Sequence, residues 1–95
     1  MSKNTVFTFV LEYKGGTYIS QSTGPSLGGA IAKWAKTRAD RDLTTWGLVQ
    51  DDLNEVAADT PVPLDGCRNV WCMSASRHQG LILVNIIATE TATVA

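Results

Sequence analysis

The stretch Gly24-Pro25-Ser26-Leu27-Gly28-Gly29-Ala30-Ile31 has the glycine spacing of a phosphate-binding loop, G-x-x-x-x-G, at the start of an apparent helix. That chemistry needs two more residues, a lysine to neutralise the β- and γ-phosphates and a hydroxyl to hold magnesium. The positions that should carry them are Ala30 and Ile31. The strand before the stretch also belongs to a hairpin rather than a parallel βαβ unit, and the chain is short for a nucleotide-binding fold. The stretch is therefore expected to be a helix start, with Ser26 as N-cap, Pro25 just outside it, and Gly28 and Gly29 letting the first turn approach the sheet.

The thiols and the imidazole offer little more. Cys67 and Cys72 are the only cysteines and His78 the only histidine, so a four-ligand zinc site cannot be assembled from them. Two reduced structural thiols in a cytoplasmic chain are expected, with a local disulfide as the alternative. Placing Cys72 inside a strand would exclude that disulfide. Cys72 and His78 as nucleophile and base would have to meet across a strand end, and His78 in Arg77-His78-Gln79-Gly80 reads instead as a solvated turn residue. No catalytic residue and no cofactor is assigned.

Charge is segregated along the chain although the net charge is only -1. Lys33, Lys36, Arg38 and Arg41 gather late in the first helix and just beyond it. Asp51, Asp52, Glu55 and Asp59 gather in a second helix, with no compensating base in view. A basic patch for RNA would want interleaved aromatic residues, which are missing, and Asp40 and Asp42 dilute the cluster. Macrodipole matching accounts for both clusters, and a nucleic-acid partner is not expected. There is no basic segment followed by an apolar one that would make a secretory signal, and Leu81 to Ala88 is too short to span a bilayer, so no membrane association is expected either.

These residues must be positioned by six elements. Thr5 to Tyr13 alternates Phe7, Phe9, Leu11 and Tyr13 with Val6, Thr8, Val10 and Glu12, the period of a strand. Thr17 to Ser22 returns antiparallel after Lys14-Gly15-Gly16, and taking those three residues as the loop sets Leu11 opposite Ile19; a two-residue Gly15-Gly16 turn would instead set Leu11 opposite Ser20. Leu27, Ala30, Ile31, Trp34, Ala35 and Arg38 stripe a helix ending near Ala39. Residues 40 to 49 are ambiguous. A second helix fits Asp51 to Ala58, burying Leu53, Val56 and Ala57, and Thr60-Pro61-Val62-Pro63-Leu64 is extended before a turn at Asp65-Gly66. Val70 to Ser76 and the run Leu81 to Thr89 are the last two strands, and the tail 90–95 is expected to fray.

The chain (1–95) is thus expected to be one α+β domain, ββααββ, with a four-stranded antiparallel sheet in spatial order 2-1-4-3 and its helices on one face. Trp34 and Trp71 fall on core stripes. Trp46 has no obvious slot, and with Tyr18 and Ser26 it could line a small-molecule or anion pocket between the sheet and the first helix.

The final strand is apolar on both sides. Ile82, Val84, Ile86 and Ala88 should meet the helices, while Leu81, Leu83 and Ile87 face away with Val6 and Val10 of the first strand. A one-sided antiparallel sheet normally turns polar residues outward, so this second face is expected to be an interface. Either a second copy of the chain covers it, giving a homodimer, or residues 40 to 64 fold over it. Self-association is the preferred expectation, with an unidentified protein partner as a further one.

The hairpin "VLEYKGGTYISQ" followed by a helix is similar to the opening of HicB-type antitoxin domains over roughly a third of the chain. Those domains continue with an additional strand bearing a Leu-Pro-Gly-Cys-like segment, and here "STGPSLGG" leads straight to the helix. No helix-turn-helix or ribbon appendage is present. The resemblance is one of topology and implies little about function. The sequence leaves a non-catalytic interaction module as the leading reading and a pocket-using binder as the second.

Overall fold

A computed structural model describes residues 3–38 and 43–93, with side chains described for 4–37 and 43–90. The element order is β1 (Lys3–Tyr13), β2 (Gly16–Gly24), α1 (Leu27–Arg38), α2 (Leu43–Trp46), α3 (Gln50–Ala58), β3 (Val62–Pro63), β4 (Val70–Arg77) and β5 (Gly80–Thr93). This is an α+β architecture with an antiparallel sheet in order β2-β1-β5-β4-β3. The four long strands follow the expected sequence across the sheet. The expected count of four strands is corrected to five: Pro61 and Pro63 hold the chain extended long enough for Val62 and Pro63 to pair with Cys72 and Trp71.

The period-two patterns of β1 and β5 translate directly into one buried face. Phe7, Phe9, Leu11 and Tyr13 from β1 and Ile82, Val84 and Ile86 from β5 are buried, as is Met73 of β4. The helices supply the other half of the core through Ala30, Ile31, Trp34 and Ala35 of α1, Leu43 and Trp46 of α2, Leu48, and Leu53 and Val56 of α3. Trp34 is central: its ring stacks on Phe9 at 4.8 Å with 5° between planes. Its indole N–H donates to Ser20 Oγ at 2.9 Å, so the one polar atom of a fully buried side chain is satisfied. Trp71, only partly buried, packs against the same core and tilts toward Phe7 at 6.1 Å.

The β1–β2 register is corrected to neither of the expected alternatives. Tyr13 pairs with Gly16, which puts Leu11 opposite Tyr18 and Val10 opposite Ile19. The turn is Lys14-Gly15, with φ of 47° and 82°, the two positive values of a tight hairpin turn whose twist matches the strands. Lys14 thus takes a left-handed conformation that its residue type does not announce. The consequence is an inverted β2: Ser20 and Ser22 point inward and are buried, while Ile19 is 68% exposed on the opposite face.

The glycine that lets α1 approach the sheet is Gly24 and not, as expected, Gly28 or Gly29. A methyl group on Gly24 would stand 2.9 Å from the Ala30 nitrogen, whereas Gly28 has nothing within 4 Å. Ser26 caps the helix as expected, its Oγ accepting from the Gly29 N–H at 3.1 Å. The expectation that the tail frays from Glu90 is corrected in part: β5 stays paired with β1 as far as Lys3 opposite Thr93, and positions 94–95 lie outside the described residues. Arg41, and the end of the first helix placed near Ala39, lie outside them as well.

Candidate functional site

All the described helices pack on the face carrying Phe9 and Val84, which leaves the other face of the sheet without a covering element among the described residues. Segment 43–64, which could have folded over that face, instead sends Leu43, Trp46, Leu48, Leu53 and Val56 into the core on the helical side. The strand registers align Ile19, Val10, Asn85, Cys72 and Val62 as one row running across all five strands. Leu83 and Ile87 flank that row on β5, and Val70 lies opposite Ile87. Of the residues expected on this face, Val6, Val10, Leu83 and Ile87 are half-buried by their neighbours and Leu81 is 55% exposed. Ile19 and Val62 belong to the same face and were not anticipated, because the true register of β2 and the pairing of β3 were not evident. Their signal was period two counted from the correct turn.

A second constellation escaped sequence reasoning altogether. Asp52, read as part of a solvated acidic helix face with no compensating base, is completely buried. Its carboxylate accepts from Arg77 Nε at 2.8 Å and from the Val49 N–H at 2.9 Å, and His78 Nε2 lies 3.0 Å from each of its oxygens. Burial alone would push the Asp52 carboxyl up; the hydrogen bonds from Arg77, Val49 and His78 together outweigh it and hold the group below its usual range. His78 is therefore not a free turn residue. It and Gln79 both have positive φ, 54° and 62°, and Asp52 ties this two-residue β4–β5 turn to the start of α3.

The arrangement is a clamp and carries no nucleophile. Cys72, six residues from His78, sits inside β4 with its Sγ directed to the Met73 carbonyl at 3.8 Å. Burial first, and the Asp59 carboxylate second, push its thiol up, which disfavours the reactive thiolate. Cys67 and Cys72 are both free. Among the described residues no three His, Cys, Asp or Glu side chains gather into a metal-holding group, and no described helix is long and apolar enough to cross a membrane.

The three residues expected to share a pocket are not brought together. Tyr18 and Trp46 meet, with rings 5.3 Å apart and nearly parallel, but each fills the space a ligand would need and Trp46 is buried as a cap on the core. Ser26 follows the far end of β2, which at ~3.3 Å per residue is about 20 Å along the strand from Tyr18. A shallow groove of ≈ 420 Å³ does run between α1 and α3, walled largely by Ala32, Ala35, Ala57 and Ala58. Gln50 bridges it by donating to the Ala35 carbonyl at 3.0 Å and to Asn54 Oδ1 at 2.8 Å. Lys36, Gln50 and Asn54 supply its polar lining, and the last two are bonded to each other. No family model matches this chain, and no curated protein or solved structure matches it.

Proposed function

We propose that this protein is a small, non-catalytic interaction module that self-associates by stacking the uncovered sheet faces of two copies. The observation that carries the reading is the one-sided placement of the helices over a sheet whose opposite face is crossed by an apolar row. The area is sufficient. The four long strands at ~4.8 Å and eight residues at ~3.3 Å give a face of about 500 Å², and two such faces cover about 1,000 Å², the size from which a specific interface can be argued. Val10, Leu83 and Ile87 are already half-buried in the single chain, so covering them contributes less than the ~1.5–3 kcal/mol each of full burial, against an association cost of ~4–15 kcal/mol. Val6, Ile19, Leu81 and Val62 supply the remainder. Asn85, the polar member of the central row, would sit where two faces meet and would favour the stacking in which its amide finds a partner.

Leu83→Lys tests this. A lysine there puts a charge in the middle of the stacked faces while leaving the helical side of the sheet untouched. The expected result is a lower mass by light scattering at micromolar concentration with an unchanged circular dichroism spectrum. An unsubstituted chain that is already monomeric at every concentration would overturn the reading. A ligand pocket around Tyr18, Ser26 and Trp46 is less well supported, because Ser26 stands apart from the other two and they stack on each other.

A further inference from the structure

The outer edge of β2 is a long row of backbone groups with nothing paired to it among the described residues. In the two-residue β1–β2 hairpin the residues flanking the turn, Tyr13 and Gly16, form a mutually hydrogen-bonded pair. Alternation along the ladder then commits Gly16, Tyr18, Ser20, Ser22 and Gly24 to β1. It turns the N–H and C=O of Thr17, Ile19, Gln21 and Thr23 outward. Thr17, Ile19 and Gln21 are exposed and Thr23 is half-buried. Several of the devices that normally blunt an edge are absent here: β2 runs nine residues, GTYISQSTG, with no proline, no charged side chain and no bulge toward β1.

We propose that β2 is a docking edge for β2 of a second copy, joining two sheets into one continuous antiparallel sheet about a two-fold axis at Ser20. The strand is its own complement in that register. Thr17 lies opposite Thr23 of the second copy, Ile19 opposite Gln21, and Gly16 opposite Gly24, so the nine residues overlap with no overhang. Each of the four outward residues exchanges both of its backbone bonds, giving about eight in all. The facing threonines can hydrogen-bond, and the two Ile19 side chains meet diagonally across the axis. Lack of charge, which would give no preference for an acidic or basic foreign strand, removes repulsion between identical ones. A two-fold pairing also closes on itself and leaves neither β2 edge open, unlike a head-to-tail contact. This contact uses an edge and not the face, so it stands or falls separately from the stacking proposed above.

The experiment is run in the Leu83→Lys background, which removes the stacked contact. Light scattering and amide hydrogen exchange are measured from micromolar to millimolar concentration. The expected result is a dimer mass with exchange at Thr17, Ile19, Gln21 and Thr23 slowed by about tenfold or more, while Tyr18, Ser20 and Ser22 do not change. Gln21→Pro deletes an outward N–H while keeping the β1–β2 backbone bonds, losing besides only the Gln21 side-chain bond to Thr8 Oγ1, and is expected to abolish both signals. Thr17→Lys with Thr23→Lys places like charges opposite each other and is expected to dissociate the dimer, whereas Thr17→Lys with Thr23→Glu is expected to keep it. Exchange at the four amides that is independent of concentration overturns the proposal, as does a charge-matched pair that behaves like the mismatched one. Failure of the stacking proposal reads differently: Leu83→Lys then has the same mass as the unsubstituted chain.

Discussion

The two edges of the sheet are treated very differently by the sequence. At the β4 edge, several backbone groups that would face water are closed off. Val62 and Pro63 pair with part of the strand, Leu64 N–H reaches the Val70 carbonyl, and Asp59 Oδ2 accepts from the Ser74 N–H at 2.9 Å. Pro61 and Pro63 make the short outermost strand a poor template for anything further. The turn at its end is fastened by Asp52. At the β2 edge, side chains are turned inward instead: Ser20 receives the Trp34 indole and Tyr18 stacks on Trp46, and nothing among the described residues pairs with the outer row. One edge is finished within the chain. The other is arranged as if its finish comes from outside.

Six substitutions probe that contrast, and the largest effect is expected at the clamp. Asp52→Ala leaves Arg77, His78 and the Val49 N–H without their acceptor and should cost about 2–3 kcal/mol in urea unfolding; the figure is held below the value for a fully buried pair because Arg77 reaches water. Asp51→Ala, its exposed neighbour, should stay within about 0.5 kcal/mol. Acid should reproduce part of the clamp effect. The folded-state carboxyl of Asp52 lies below its unfolded value of ~3.9, so its contribution is fully present above the unfolded value and is lost as pH falls through the folded one. An acid-unfolding midpoint unmoved by Asp52→Asn would contradict that.

Ser20→Ala comes next. It strips the buried Trp34 N–H of its acceptor and should cost about 1–3 kcal/mol, loosening α1 from the open edge without affecting the other. Asp59→Ala should cost only about 0.5–1 kcal/mol, since the Ser74 N–H it releases can turn to water. Faster exchange at that single amide is its signature. Gln79→Gly should have the smallest effect and the opposite sign, a gain of a few tenths to about 1 kcal/mol, because glycine takes the positive φ without strain.

The legible parts of this fold were those written in a local period. The patterns of β1, β5 and α1 place Phe9, Val84 and Trp34 on the core side without reference to one another. The β2 register was hidden because Lys14, an ordinary residue, occupies the left-handed turn position, and a shift of one residue exchanges every side chain between faces. It also ran against polarity, since the two serines go in and the isoleucine goes out. The clamp was hidden for a different reason. At N3 of α3, Asp52 looks like any carboxylate near a helix start, and the Arg77 and His78 that bury it come from a hairpin made of another part of the chain. The uncovered face was legible as an apolar surplus on β5. Its extension to Ile19 and Val62 was not, because both depend on neighbours rather than on their own strands.

The pairing of β1 with β5 couples the first described strand to the last, Lys3 facing Thr93. The middle of the sheet therefore cannot form until nearly the whole sequence has been gathered, and closing so long a loop is entropically costly before any contact rewards it. Refolding should be slow for a molecule of this size. Until β5 arrives, β1 carries a second unpaired border, so the assembling chain briefly offers neighbouring molecules twice the sticky margin that the finished one does.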